Sequence, residues 1–410
     1  MEKHILILTT TNDFVGKFER ENVRILQQMG YVVHYATNIY EPNYISDLER
    51  LHKMNVMVHP IEIARSPFLI RNNQKALRQL LTLMKKYPIQ AIHCHTPVGG
   101  LLGRLTGRLC PERSPVILYT AHGFHFYQGA PFINRLFYYQ AEKKLAHYTD
   151  ILIVINQEDY RNARNFRLKK NGTLYQLPGV GLDLEIFKPI PLEERNTLRK
   201  QLGLGEEIFF LLSIGELNEN KNHRVILQAL AKLKHIHKDI SSIHYGICGD
   251  GFFRQRMEQW ISEMGLEDNV TLYGHRTDIP QMLGCADATA FPSKREGLGM
   301  AALESLAMGI PVIASDNRGT REYMKQGKNG FICRYDDVDE FAESIETIRN
   351  LDPINREKMK AYCTASARPF DKKYTGFLMR RIYADMEQRI EEKQDEKQTK
   401  TRNQYHNGSI

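Results

Sequence analysis

The chain has 410 residues, 42% hydrophobic and 25% charged, a balance that suits a globular protein of about two domains. No apolar run approaches the length that crosses a bilayer, and the opening Met1-Glu-Lys-His-Ile-Leu-Ile-Leu is too short for a signal-peptide core and reads as a first strand. The six cysteines show no Cys-x-x-Cys spacing, which argues against a zinc site and for reduced thiols in a cytoplasmic protein. The formal charge of +8 belongs wholly to residues 1–185, with 23 Lys+Arg against 15 Asp+Glu; the remainder holds 33 of each. That asymmetry points to an anionic membrane surface or a phosphorylated lipid as partner, and no nucleic-acid motif accompanies it.

Strands alternate with helices from the start. Ile5–Thr9, Val32–Ala36, Val56–Ile61, Ala91–His95, Val116–Thr120 and Ile151–Ile155 are apolar runs of strand length, and residues 18–29 read as a helix before the turn at Gly30. Such alternation predicts a doubly wound parallel sheet. Asn12-Asp-Phe-Val-Gly16 links the first strand to that helix. Gly16 lets the backbone approach a phosphate, though a single glycine suits a plain turn equally well. Residues 70–87 set Arg71, Lys75, Arg78, Lys85 and Lys86 against Ala76, Leu77, Leu80, Leu81 and Met84. This is a basic amphipathic helix, read first as a sheet cover with a solvated basic face.

Ala91-Ile-His-Cys-His-Thr-Pro-Val-Gly-Gly100 and Tyr119-Thr-Ala-His-Gly-Phe-His-Phe-Tyr127 each end a strand. His122 stands at the strand's carboxyl end, where open α/β sheets bind ligands, and an imidazole there can polarise a phosphate or an acceptor hydroxyl. Phe124, Phe126, Tyr127, Phe132, Phe137, Tyr138 and Tyr139 are expected mostly in the core. Leu177-Pro-Gly-Val-Gly-Leu-Asp-Leu-Glu-Ile-Phe-Lys-Pro189 breaks the pattern and reads as the boundary between domains 1–185 and 186–369.

A second alternation starts at Ile208–Ile214. Lys221, in Gly215-Glu-Leu-Asn-Glu-Asn-Lys-Asn-His223, stands just ahead of a helix start and suits a diphosphate. The most informative stretch is Phe291-Pro-Ser-Lys-Arg-Glu-Gly-Leu-Gly-Met-Ala-Ala-Leu-Glu-Ser-Leu-Ala-Met-Gly-Ile-Pro-Val-Ile-Ala-Ser315. It reads as strand end, loop with Gly297, Leu298 and Gly299, helix over Met300–Met308, C′ glycine at Gly309, and strand. Glu296 precedes the helix and Glu304 lies more than one turn inside it. Two acids repel a diphosphate, so they are read as acceptors for sugar hydroxyls. Residues 370–390 read as a long helix, and the polar residues 391–410 as a disordered tail.

In combination these motifs resemble the retaining glycosyltransferases of family 4, from Ile5 to about residue 390, and the runs around His122 resemble that family's capsule and exopolysaccharide subgroup. The resemblance implies the GT-B arrangement: two Rossmann-like domains facing across a cleft, the first binding acceptor and the second nucleotide sugar, with the last helix returning to the first domain. It implies transfer of a sugar from a nucleotide-diphosphate donor, expected to be a UDP-sugar, to a polyprenyl-diphosphate-linked glycan. Glu296 would then hold the donor sugar, Glu304 the ribose, Lys221 the diphosphate, and Tyr273, Gly274 and Arg276 the base loop. His122 would lie beside donor and acceptor, with Gly16 and Met300 also lining the donor site. Glu216 occupies the family's usual arginine position, leaving Lys294 or Arg295 as the second cation. No Asp-x-Asp element stands out, so no metal cofactor is expected. The expected location is the cytoplasmic face of the plasma membrane, held peripherally. The alternatives are a nucleotide-sugar epimerase of the same fold and a non-catalytic sugar-nucleotide-binding subunit.

Overall fold

Short apolar runs buried on both faces make parallel strands covered by helices. In the computed structural model, which describes residues 2–40, 48–127, 129 and 132–407, the first seven are β1 (Lys3–Leu8), β2 (Tyr31–Thr37), β3 (Met57–Pro60), β4 (Ile89–His95), β5 (Val116–Ala121), β6 (Ile151–Val154) and β7 (Thr173–Gln176). They form one parallel sheet in the order β3-β2-β1-β4-β5-β6-β7. The second sheet contains β8 (Phe209–Ile214), β9 (Ile243–Cys248), β10 (Val270–Gly274), β11 (Ala288–Phe291), β12 (Val312–Ser315) and β13 (Gly330–Cys333), in the order β10-β9-β8-β11-β12-β13 and again all parallel. In each sheet the winding reverses once, between β1 and β4 and between β8 and β11. Ligands of such sheets bind beyond the carboxyl ends of the strands at these switch points.

The chain forms two units, residues 1–181 with 372–410, and residues 182–371. The division falls a few residues before the position read from the glycine- and proline-rich run. In the second unit, Leu182 donates its N–H to Phe370 O at 2.7 Å and bridges Asp371, so the run's last residues are already tied to that unit.

The final helix, Lys372–Asn407, corrects the expectation of a disordered tail over 391–410; residues 408–410 lie outside the described residues. Its stripe Met379, Ile382, Tyr383, Met386 and Ile390 is buried at helical spacing in the first unit. Polar composition beyond Ile390 suggests solvation, but Lys393 Nζ reaches Asp150 Oδ1 (3.0 Å) and Lys397 Nζ donates to the carbonyls of Glu112 and Arg113, each at 2.9 Å. Those lysines cap backbone oxygens of the β5 approach and hold the helix onto the sheet.

The aromatic expectation divides. Phe124 and Phe126 stack in the first core, whereas Phe132 and Phe137 are exposed. Helical periodicity places them on one element but does not say that the element's first turn projects from the surface.

Candidate active site

The loops at the second switch point carry most of the residues singled out from sequence. The β8 loop leads to the helix Arg224–His237, and the β11 loop to the helix Met300–Ala307. Lys221 Nζ meets Glu296 Oε1 at 2.7 Å and lies 5.3 Å from the centre of the Phe291 ring. Hydrogen bonds to main-chain oxygens lace the two loops together: Lys294 N donates to Asn220 O (2.8 Å), Asn220 Nδ2 to Arg295 O (3.0 Å) and Asn222 Nδ2 to Pro292 O (3.2 Å). An ammonium has three protons, so Lys221 can hold Glu296 and still donate to a phosphate. Lys294 turns instead to Glu219 (3.1 Å), and Arg295 is exposed.

Gly299 caps the helix Met300–Ala307 at φ +90°, a backbone that costs an L side chain strain. A Cβ there would also lie 2.8 Å from the Phe291 ring and 2.9 Å from the Tyr323 hydroxyl. The helix ends in a Schellman arrangement: Gly309 N donates to Leu306 O (2.9 Å) and Ile310 N to Ser305 O (3.0 Å), with Gly309 at φ +77°. It therefore stops one residue earlier than read from sequence. Its N-terminal N–H groups, beside Gly297 and Leu298, form a site suited to anions. Glu304 is half-buried on this helix, and burial pushes its carboxyl up to about 7. Among the described residues none donates to that carboxyl, so its acceptor capacity is open to a ligand hydroxyl.

A group that sequence reading missed supports this loop from behind. Tyr323 donates its hydroxyl to Leu298 O (3.0 Å), Asn317 Nδ2 to Ser293 O (3.0 Å) and Arg318 Nε to Glu296 O (3.3 Å). The only sequence signal was the run Asp316-Asn-Arg-Gly-Thr320 after β12. Gly319 in that run packs so closely on Leu298 that a Cβ would lie 2.7 Å from the Leu298 carbonyl oxygen.

Glu216 is exposed at the β8 end, where it offers no cation. Gly274 O accepts from Gly249 N at 2.7 Å, tying the β10 end to the β9 loop. The Tyr273 ring packs against the core of this unit, and Arg276 forms a fork with Asp278 through Nε (2.8 Å) and a second nitrogen. These side chains are thus occupied within the unit. Gly249, at φ +157°, would place a Cβ 1.8 Å from Gly215 O. Gly249→Ala should therefore push away the loop bearing Lys221 and destabilise the unit by about 3 kcal/mol, or roughly 5–10 °C in melting temperature. A thermal melt checks this; an unchanged midpoint would contradict the close approach.

The first switch point assembles a separate set. Gly16 lies buried in the π-helical turn Val15–Glu19, and the Phe14 ring just before it meets His122 edge-on at 5.0 Å. His122 Nε2 lies 3.1 Å from His95 Nδ1, and burial lowers the His122 pKa to about 4, so the ring is neutral at pH 7. Glu19, pushed up to about 8 by burial, places Oε1 3.6 Å from the same His95 nitrogen. Glu19, His93 and His95 have metal-ligand composition. Yet His93 already bonds Thr120 Oγ1 (2.8 Å) and Tyr383 OH (3.0 Å), and Asn22 holds Glu19, which describes a hydrogen-bonded knot.

This knot gives an expected tautomer. His95 Nε2 is buried without a partner among the described residues. Either tautomer leaves that nitrogen unpaired, and an orphaned N–H is the rarer case in folded proteins than an orphaned acceptor. The expected arrangement therefore has the His95 proton on Nδ1, the nitrogen that faces both Glu19 and His122. His122 would then accept at Nε2 and keep its own proton on Nδ1, as a hydrogen-bond donor. Long-range ¹⁵N spectra of histidine-labelled protein, with the His122→Gln variant for assignment, should show this tautomer; an Nε2–H imidazole at His122 would contradict it.

Two family models match the chain: "Glycosyl transferase 4-like" over residues 4–156 and "Glycosyl transferases group 1" over residues 194–365. A Bacillus subtilis protein described as putative glycosyltransferase EpsD is 37% identical over 357 residues, covering 87% of this chain and 90% of that protein. The Escherichia coli UDP-Gal:alpha-D-GlcNAc-diphosphoundecaprenol alpha-1,3-galactosyltransferase is 29% identical over 295 residues, covering 70% of this chain and 75% of its own. In fold, the chain matches Anabaena HepE, solved with UDP and glucose, at a TM-score of 0.74 and 19% identity, over 93% of this chain and 100% of that one. The two matched models, the relatives and two parallel Rossmann-like sheets agree: the chain belongs to the glycosyltransferases of the GT-B fold, with a transferase 4-like first half and a group 1 second half.

Proposed function

We propose that the protein transfers a sugar, with retention at the anomeric carbon, from a UDP-sugar to a polyprenyl-diphosphate-linked glycan in capsular or exopolysaccharide biosynthesis. The observation that carries this reading is the Lys221–Glu296 pair at the second switch point, on the loop that leads into the helix bearing the open carboxyl of Glu304. In this reading Lys221 and the N-terminus of the helix Met300–Ala307 hold the diphosphate, Glu296 the donor sugar and Glu304 the ribose. Gly297 to Met300 bring main-chain N–H groups to the leaving group, so the reaction is expected to need no metal. His122 donates from Nδ1 to a donor or acceptor oxygen. The named substrates of the Escherichia coli relative support both the UDP donor and the lipid-linked acceptor. The reaction then takes place at the cytoplasmic membrane face.

A thermal-stability screen across nucleotide sugars tests the donor class. UDP-sugars should raise the melting temperature most, and free UDP more than UMP, because the second phosphate reaches Lys221. Equal stabilisation by UMP and UDP would contradict the diphosphate assignment.

A further inference from the structure

We infer that the first unit docks on an anionic lipid bilayer through an apolar patch built by Phe68, Ile70, Phe132, Ile133 and Phe137. This rests on the reading above that the acceptor is lipid-linked, and it names the surface that would meet the lipid. The residues come from the starts of two helices, Ile70–Lys86 and Phe132–Ala146. The Phe68 and Phe137 rings stack with centroids 6.0 Å apart, so the two starts form one surface. Phe68 is 67% exposed, Phe132 78% and Ile133 79%. Further along the second helix, Tyr138 and Tyr139 pack against the core, which anchors the element while its first turn projects.

Single exposed apolar residues need no explanation, but a contiguous aromatic and aliphatic cluster does. Its setting selects the occupant. Exposed Arg71, Arg78 and Arg135 lie on the same two helices. The first unit, residues 1–181 and 372–410, holds 32 Lys+Arg and 19 Asp+Glu, net +13, whereas the second is net −5. A two-fold contact between copies would set Arg71 and Arg135 against a like-charged surface. An anionic headgroup layer neutralises those arginines while the rings enter the acyl boundary, the mode of an interfacial amphipathic element.

The test is flotation of the full chain with phosphatidylcholine vesicles, with and without phosphatidylglycerol. The parent should float with the anionic vesicles and release as salt is raised. Phe132→Ser combined with Ile133→Ser should lower the bound fraction roughly tenfold. The pair Arg71→Glu and Arg135→Glu should do the same through charge, which keeps the test decisive if the serine variant melts early. UDP affinity by calorimetry should be unchanged in both variants. Flotation needs no nucleotide, so failure of the donor reading leaves this result standing, and the reverse. Equal binding to neutral vesicles, undiminished binding by both variants, or a parent dimer in sedimentation that the serine variant dissolves would each overturn the assignment.

Discussion

Lys221→Ala should lower kcat/KM for sugar transfer by about 2–4 kcal/mol, roughly 30- to 1,000-fold, the scale of removing one preorganised donor from a developing anion. The expectation is large because the loops leave few substitutes. Glu216 supplies no charge at the β8 end, and Lys294 is drawn to Glu219. The change also strips Glu296 of the cation 2.7 Å away, leaving a half-buried carboxylate beside the site meant for the leaving diphosphate. The loss should therefore appear in UDP affinity and in turnover together. Steady-state kinetics beside calorimetric titration with UDP reads both. Near-normal turnover would show that Arg295 or Lys294 holds the diphosphate.

The two glutamates should separate by substitution. A hydroxyl bonded to an ionised carboxylate contributes about 1.5–3 kcal/mol, so Glu304→Gln should weaken UDP roughly 10- to 100-fold. Burial raises the Glu304 carboxyl to about 7. Ribose hydroxyls that donate to it favour the ionised form and lower that value on binding. A proton must then leave for tight binding, so UDP affinity gains as pH rises through about 7, and the gain beyond that of UDP's own phosphate disappears in Glu304→Gln. Glu296→Gln behaves differently. It frees the Lys221 ammonium from a full carboxylate, so UDP affinity should hold or improve while turnover with the intact donor falls. Calorimetry of both variants across pH 6–8 decides; equal loss of UDP affinity in the two would end the division of roles.

Much of the loop and helix from Glu296 to Gly309 was legible because its signals are local. Gly299, Gly309 and Pro311 bracket a run of helix formers, and the structure places the helix within one residue of that reading. The Lys221–Glu296 pair was not legible. The residues are 75 positions apart, and only the reversal of strand order between β8 and β11 brings their loops together. The supporting bonds from Asn317, Arg318 and Tyr323 escaped for the same reason: their chemistry is long-range hydrogen bonding to carbonyls, which leaves no periodicity. Strands β7 and β13 carry little strand signal because the first is a half-buried edge with Thr173 and Gln176, and the second opens on Gly330. In the first unit, His122 was legible as a strand-end residue, but its expected tautomer rests on the His95 nitrogen that is buried without a partner among the described residues.

The most direct measurement incubates the purified protein with its most stabilising nucleotide sugar and a polyprenyl-diphosphate-linked sugar, then analyses lipid and nucleotide by mass spectrometry and NMR. Sugar transfer predicts a lipid heavier by one sugar residue, an equal amount of nucleoside diphosphate, and an anomeric coupling that matches the donor's. A nucleotide sugar converted to its epimer, with the lipid unchanged, would contradict it.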